Sequence, residues 1–305
     1  MKLYDTMIIG AGIAGITAAL FAARKRMGFE IVASEFGGQM LISGGVHNYP
    51  GLPDISGLEL RSILEKQLAL AGGPKVREET VTEIKKSGLN FSVMTDKNRY
   101  ETQTVIIATG SKPKKLDVPG EEKFARKGVA YCSICDGPLF SGMEVAIIGG
   151  GNSALHALDF MKDIASKIYL VARSDRTRGF ESLLEKARRN PKVKIIFSAD
   201  VKEILGGKFV SGIRYEQGGK QKELNVGGVI VEIGRIPGTE PFRGLLDCDE
   251  AGHIKTDCQG QTSVPGIFAA GDCTAGHDYQ YIISAGQGCM ALLRAARYLA
   301  TKKEV

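Results

Sequence analysis

Thr6-Met7-Ile8-Ile9-Gly10-Ala11-Gly12-Ile13-Ala14-Gly15 decides the fold. Its first four residues are a short apolar run, the pattern of a parallel strand buried on both faces. The run passes directly into G-x-G-x-x-G. A helix expected to reach about Arg26 follows, with small residues at Ala18, Ala19, Ala22 and Ala23, and the next strand, Phe29 to Ala33, ends beside Glu35. Strand, glycine turn, helix, strand and an acid about 20 residues on make up the full dinucleotide fingerprint. Gly10 allows the tight turn, Gly12 lets a pyrophosphate approach the backbone, and Gly15 lets helix and strand pack closely. The helix start offers N–H groups and a partial positive charge to phosphates. Glu35 is placed to accept hydrogen bonds from ribose hydroxyls.

The pattern recurs further on. Glu144 to Ile148 reads as a strand, and Gly149-Gly150-Gly151-Asn152-Ser153-Ala154 as its turn, with alanine replacing the third glycine. A helix to about Ile164 and a strand from Lys167 to Val171 follow. The strand end is not acidic here: it reads Ala172-Arg173-Ser174-Asp175-Arg176-Thr177-Arg178. Arginines favour a 2′-phosphate through charge-assisted bonds, so NADPH is expected ahead of NADH. Lys112-Pro113-Lys114 reads as an outward linker and Gly234 to Thr239 as a return linker. The expected fold is α/β: two Rossmann-like three-layer ββα nucleotide-binding domains, the second (114–235) inserted in the first (1–113 and 236–305).

Just before the second turn, Tyr131-Cys132-Ser133-Ile134-Cys135-Asp136 holds a C-x-x-C followed at once by an acid. A dithiol this close to a nucleotide turn suggests redox traffic. A zinc site would need two more ligands nearby, and the sequence offers none. Thiolates are favoured at a helix start, where this pair is expected. Asp136 would by itself disfavour them, which suits a proton donor and acceptor better.

Between the two turns, Phe36 to Met40 and Gly44 to Pro53 are rich in Gly, Pro and Asn and are expected to be neither regular helix nor strand. They read as a loop wrapping a cofactor with the Gln39 and Asn48 amides. A helix from Ser56 to about Ala71 carries Leu60, Ile63, Leu64 and Leu68 on one stripe. Alternating strands are expected over Val76 to Tyr100, and a buried strand from Thr104 ends in Ala108-Thr109-Gly110, a point for backbone to touch a dinucleotide. Further strands are expected over Lys208 to Tyr215, Lys222 to Val226, Val229 to Ile233, Gly252 to Thr256 and Ser263 to Asp272. Gly271-Asp272 at the last strand's end suits bonding to a ribityl or phosphate-adjacent hydroxyl. A helix from about Ile282 to Ala300 closes the chain.

Composition narrows the function classes. The 305 residues suit one large domain or two ordinary ones. The 39 glycines are about twice ordinary usage, and nucleotide turns supply the backbone reason. A net charge of +6 with scattered Lys and Arg argues against nucleic-acid binding. No run approaches ~18 apolar residues, so no membrane span is expected. The N-terminus lacks a signal-peptide pattern, so a cytoplasmic location is expected, and the six cysteines imply no disulfide framework there. Cys248, Cys258, Cys273 and Cys289 are dispersed and read as ordinary buried or surface residues.

In their order, the first G-x-G-x-x-G, Gly37-Gly38-Gln39, Asn48-Tyr49-Pro50-Gly51, Ala108-Thr109-Gly110, the C-x-x-C-D-G, the second turn, Ala270-Gly271-Asp272 and Ser284 to Ala291 resemble the low-molecular-weight thioredoxin reductases over nearly the whole chain. The resemblance implies FAD in the first domain, held at Gly10, Gly12, Ala14, Gly15, Glu35, Gly38, Gln39, Asn48, Ala108, Thr109, Gly110, Gly271 and Asp272, with Gln280 and Tyr281 near the isoalloxazine ring. It implies NADPH in the inserted domain, at Gly149, Gly151, Asn152, Ser153, Ala154, Arg173 and Arg178. Cys135 would face the flavin, Cys132 would attack the disulfide of thioredoxin or a thioredoxin-like small dithiol protein, and Asp136 would carry the proton. Members of the family are homodimers whose domains rotate between two electron-transfer orientations. Two positions depart from the family. Its H-R-R-x-x-x-R reads here from Ala172 to Arg178 without the His and the middle Arg, and its R-Q reads Tyr279-Gln280. Relatives with eroded nucleotide motifs use ferredoxin or a deazaflavin, which the intact second turn argues against. The chain shows no N-terminal extension of the peroxiredoxin-reductase type, so a separate dithiol partner is expected. NADH as donor, ferredoxin as donor, and a non-catalytic flavin- or nucleotide-sensing module remain as alternative readings.

Overall fold

The computed structural model describes residues 2–41, 43 and 45–302; Gly44, in the expected cofactor loop, lies outside them. The chain divides into two compact units, Met1–Lys112 with Ile236–Val305, and Pro113–Arg235.

The first unit opens with β1 (Leu3–Ala11), α1 (Ile13–Arg24) and β2 (Phe29–Phe36). Met7, Ile8 and Ile9 are all buried, as a strand covered on both faces requires. β2 runs parallel to β1, pairing Ile9 with Val32. α1 stops two residues before the expected Arg26, because Arg26 adopts a left-handed φ of 56°. Gly37 precedes a 3₁₀ turn over Gly38–Leu41 in the stretch expected to be irregular. α2 (Gly57–Leu70) begins at a capping box, in which Ser56 and Glu59 satisfy each other's backbone N–H groups. Its buried stripe is Leu60, Leu64 and Leu68; Ile63, expected on that stripe, is exposed. The i+4 spacing of the three leucines leaves Ile63 to one side.

β3 (Arg77–Glu78), β4 (Val81–Ser87), β5 (Asn90–Thr95) and β6 (Arg99–Ile107) extend the sheet in the order β3-β2-β1-β6-β5-β4. β6 is parallel to β1, and β4–β6 form an antiparallel meander. The chain leaves this unit through β7 (Ser111–Pro113).

In the second unit come β8 (Val129–Ala130), α3 (Ser133–Asp136), β9 (Glu144–Ile148), α4 (Asn152–Met161) and β10 (Lys167–Val171). α5 (Glu181–Arg189), β11 (Val193–Ile196), β12 (Ala199–Gly206), β13 (Val210–Gln217), β14 (Lys220–Asn225) and β15 (Gly228–Val231) follow. A parallel sheet β11-β10-β9-β15-β8 lies beside an antiparallel sheet β12-β13-β14. Val145, Ile147, Ile168 and Leu170 pack with Ala154, Leu155 and Leu158 of α4. On the other face Ala146, Ile148 and Val171 pack with Val201, Ile213 and Tyr215. These are the three layers of a ββα domain.

The return runs through β16 (Arg235–Pro237) to β17 (Ile267–Ala269), which joins β6 in parallel, and α6 (Tyr281–Lys302). Two expected strands are corrected here. Gly252 to Thr256 makes only isolated bridges, from Ile254 to Cys248 and Thr274. Ser263 to Asp272 shrinks to β17, because Pro265 lacks a donor and Gly266 sits at φ 92°. α1 and α6 pack on one sheet face through Ala18, Ala22, Ala291 and Ala295. They approach so closely that a Cβ at Gly288 would lie 2.1 Å from the Ala14 carbonyl oxygen. The other face carries Met7, Ile9, Val105 and Ile107 against Val81, Ile84 and Phe91 of the meander. Both units are thus Rossmann-like, and the second is inserted in the first.

Candidate active site: a dithiol and two dinucleotide turns

Four segments converge on the first glycine turn. A Cβ at Gly10 (φ 107°) would lie 2.2 Å from the Ala108 carbonyl oxygen, and one at Gly15 would lie 1.8 Å from that of Gly10. Gly38 approaches Gly12, and Gly271 approaches Ala14. At Gly12, by contrast, an added Cβ would meet nothing within 4 Å. Gly12 is also the N-cap of α1, with no side-chain cap and no acid in the first turn. An open backbone cradle at an uncapped helix start fits a pyrophosphate. Glu35 stands exposed near the end of β2, with no hydrogen bond or ion pair among the described residues, so its oxygens are available to a ribose.

The flanking polar residues are already engaged. Gln39 Nε2 donates to the Ser111 carbonyl at 2.8 Å, and Asn48 Nδ2 donates to Gln280 Oε1 at 3.0 Å. Tyr281 and Ser43 share a 2.6 Å hydrogen bond. The Ser284 hydroxyl donates to Asp272 Oδ1 at 3.1 Å, and the Gly271 N–H donates to Gln287 Oε1 at 2.7 Å. The Asn48 and Gln39 amides therefore order the loop through protein contacts. Gly110, at φ 65°, borders open space beside Thr109.

The second turn repeats the cradle. A Cβ at Gly149 would lie 2.2 Å from the Glu232 carbonyl oxygen and 3.0 Å from Ala154 Cβ. Gly151 is open and is the uncapped N-cap of α4. Asn152 Oδ1 accepts from the Phe180 N–H at 2.8 Å, and the Arg178 N–H donates to the Gly150 carbonyl at 2.7 Å. The loop after β10 is thus laced back onto the glycine turn. Arg173, Arg176 and Arg178 are exposed there with no ion pair among the described residues, and Ser153 is exposed on the first turn of α4. A loop of available cations beside an open turn fits a phosphorylated nucleotide.

The dithiol lies in the same unit. Cys132 and Cys135 form a disulfide with Cα atoms 5.3 Å apart. Cys132 is the N-cap of α3, and its Sγ accepts from the Cys135 N–H at 3.2 Å. The helix is a single turn, closed by a 3₁₀ turn at Gly137–Phe140 with Pro138 near its start. Gly137 lets this turn press on α4: a Cβ there would lie 2.7 Å from Met161 Sδ. Asp136 is half-buried, and its N–H donates to the Cys132 carbonyl at 3.0 Å. Ile134 (51% exposed) and Leu139 (71%) present apolar surface beside the pair.

Two carboxylates that the sequence reading passed over shape this site. Glu121, 1% exposed, accepts from the Leu116 and Asp117 N–H groups and, at 2.8 Å, from the Tyr131 hydroxyl. It anchors the residue before Cys132; burial, then Glu121 itself, push the Tyr131 phenol far up. Glu232 follows β15, and burial pushes its carboxyl up to about 7 against the opposing pull of the Ser133 N–H and Arg235. Its only sequence signal is an acid inside the apolar run Val229-Ile230-Val231-Glu232-Ile233. Three of the remaining cysteines are not activated: burial pushes the Cys273 thiol up to about 11 and raises those of Cys248 and Cys289.

Each unit thus carries one dinucleotide cradle, and the second also carries the closed C-x-x-C. The chain belongs to the pyridine nucleotide-disulphide oxidoreductase family, whose model matches residues 4–297. The family implies FAD and a pyridine nucleotide, which the two cradles fit. Among solved structures, a thioredoxin reductase from Streptococcus pyogenes MGAS5005 superposes with a TM-score of 0.90 at 37% identity, covering 98% of this chain and 99% of that one. Among curated proteins, an NADH dehydrogenase of Bacillus subtilis (strain 168) is 36% identical over 97% of this chain. The F subunit of the alkyl hydroperoxide reductase of Xanthomonas campestris pv. phaseoli is 37% identical over 98% of it. The chain spans only 58% and 57% of the length of these two relatives. Among the described residues no helix is long and apolar enough to cross a membrane.

Proposed function

We propose that this chain is a thioredoxin-disulfide reductase. It takes two electrons from NADPH and delivers them through Cys132 and Cys135 to the disulfide of thioredoxin or a thioredoxin-like protein, as a cytoplasmic homodimer. The observation that carries the reading is the helix-capping disulfide in the same unit as an open nucleotide turn edged by available arginines.

The first unit would hold FAD at Gly12, Ala14, Glu35, Gly38, Gln39, Asn48, Thr109, Gly110, Asp272, Gln280 and Tyr281. The second would hold NADPH at Gly151, Asn152, Ser153, Ala154, Arg173 and Arg178. Bound FAD would supply a two-electron relay between nicotinamide and disulfide. In each turnover NADPH becomes NADP⁺, one proton is taken up, and the partner's disulfide becomes two thiols. In the closed pair the Cys135 N–H donates to Cys132 Sγ, and the same donor would favour the Cys132 thiolate once the pair is reduced. The Cys132 thiolate attacks one partner sulfur; the partner's S–S bond breaks and a mixed disulfide forms. The departing partner thiolate receives a proton through Asp136. Cys135 then attacks the Cys132 sulfur, releases the second partner thiol and restores the Cys132–Cys135 disulfide. Ile134 and Leu139 offer the apolar surface on which a small dithiol protein would dock.

A second reading keeps the chemistry and changes the donor to NADH, as the name of the Bacillus subtilis relative suggests for that protein. The missing carboxylate at the end of β10 argues for NADPH. Anaerobic stopped-flow reduction of the FAD-loaded protein by NADPH and NADH in parallel separates the two. Faster reduction by NADPH, followed by thioredoxin reduction in steady state, is expected. Turnover with NADH alone would overturn the donor assignment, and flavin reduction without turnover on any thioredoxin would overturn the acceptor.

A further inference from the structure

In the first unit, Asp249, His253 and His277 bring one carboxylate oxygen and two imidazole nitrogens within 4.8 Å of one another. The ring orientations are ordered. His253 Nδ1 faces Asp249 Oδ1 at 3.6 Å, and His277 Nε2 faces Asp249 Oδ2 at 3.0 Å. Their opposite nitrogens, His253 Nε2 and His277 Nδ1, both contact the Tyr279 hydroxyl, at 3.1 and 3.0 Å. The four side chains close a ring of four polar contacts.

Proton counting shows what the ring requires. Two neutral imidazoles and one phenol bring three protons, and a carboxylate brings none. Four contacts need four. One positive charge must enter for every gap to be bridged, and the longest gap is the 3.6 Å one between His253 and Asp249. The scaffold around that gap is rigid. Asp249 Oδ1 accepts from the Ala251 and His253 N–H groups, both at 2.9 Å, and Ile254 bridges to Thr274 on the His277 side. His277 adopts φ 58°, in the left-handed region that non-glycine residues enter infrequently.

We propose that Asp249, His253 and His277 form a binding site for a divalent transition metal of the zinc type, with Tyr279 as the outer partner of both imidazole ligands. Two imidazoles and a carboxylate are a ligand set that zinc accepts, with a fourth position for water. Bonds of ~2.0–2.1 Å need tetrahedral donors roughly 3.3 Å apart; each imidazole nitrogen stands near that distance from one of the two Asp249 oxygens, and one oxygen and both nitrogens already lie within 4.8 Å of one another. The second ring nitrogen of a ligating histidine is typically fixed by an outer hydrogen bond, and here one hydroxyl serves both rings. His277, half-exposed, closes the site by a small side-chain rotation and leaves the water position open to solvent. The metal would tie the loop that leads from Asp272 to α6 onto the Asp249–His253 turn.

The test is isothermal titration of zinc into the chelator-treated, FAD-loaded, oxidised protein, with the Cys132–Cys135 pair closed. One equivalent is expected to bind. H277A, at an exposed position, and the near-isosteric D249N are each expected to weaken it more than 100-fold. Y279F is expected to weaken it about 10- to 100-fold, and C248S to leave it unchanged. X-ray absorption should show nitrogen and oxygen neighbours without sulfur. Absence of saturable binding, binding unchanged in both H277A and D249N, or sulfur in the first shell would each overturn the proposal. So would a thermal shift that follows pH and ignores zinc, which would give the missing charge to a proton.

Discussion

Replacing Glu232 with Gln should stabilise the protein at high pH and leave it nearly unchanged at low pH. The folded carboxyl titrates at about 7 against an ordinary value of 4.5, so the native state holds its proton more tightly than the unfolded chain does. A raised carboxyl contributes stability that is complete below about pH 4.5 and is lost as pH rises through about 7. The gap between 4.5 and about 7 corresponds to a loss of about 3 kcal/mol across that window. Gln does not titrate, and its side-chain oxygen can still accept from the Ser133 N–H. The stability difference between Glu232→Gln and wild type should therefore grow with pH and level off above about 7, at up to about 3 kcal/mol. Arg235 already offsets part of the cost of the charged form.

Urea unfolding of both FAD-loaded proteins, followed by far-ultraviolet circular dichroism across the window from about pH 5 to 8, measures this difference directly. The m-values should match, because the buried surface does not change. A constant offset between the two stability curves would mean that Glu232 titrates at its ordinary value. A variant that loses ground to wild type as pH rises would mean that the charged carboxylate is a net stabiliser at the start of α3. Either result would refute the reasoning.

Three further outcomes are expected. Cys132→Ser should abolish steady-state thioredoxin reduction while leaving stopped-flow reduction of the bound flavin by nicotinamide intact, since only the thiol assigned to the partner is lost. Gly151→Ala meets no atom of the protein and should fold normally, yet raise the KM for the pyridine nucleotide where the pyrophosphate must approach. Gly149→Ala, 2.2 Å from the Glu232 carbonyl, should instead lower the melting temperature, and the two glycines should separate on thermal denaturation. Tyr131→Phe removes one of three donors from the buried Glu121 and should cost about 1–3 kcal/mol in urea unfolding, with slower thioredoxin turnover as the Cys132 backbone loosens.

The parts of this molecule that sequence shows best are those whose geometry is set within a few neighbouring residues. Thr6–Gly15 and Glu144–Ala154 read as strand and turn because burial of the strand and conformation of the glycines are local demands, and β9 and β10 begin and end where the pattern places them. α5, β11 and β12 escaped the reading. α5 buries only Leu184 and Ala187 in nine residues dominated by charge, and β11 leaves most of its four residues partly exposed, so each offers too short an apolar pattern to stand out. The site divides along the same line. The groups proposed to carry electrons lie in contiguous motifs, because a cradle or a dithiol needs residues at fixed short spacing. The groups that govern charge do not. Glu232 is raised by its burial and opposed by Ser133 and Arg235, Glu121 is held by Leu116, Asp117 and Tyr131, and Asp249 meets His277 across a long loop. A carboxyl's proton affinity depends on which distant backbone buries it, and that is decided only once the chain has folded. Electron transfer in this family should therefore be recognisable from motifs, while the pH at which it runs should vary between close relatives that share every motif.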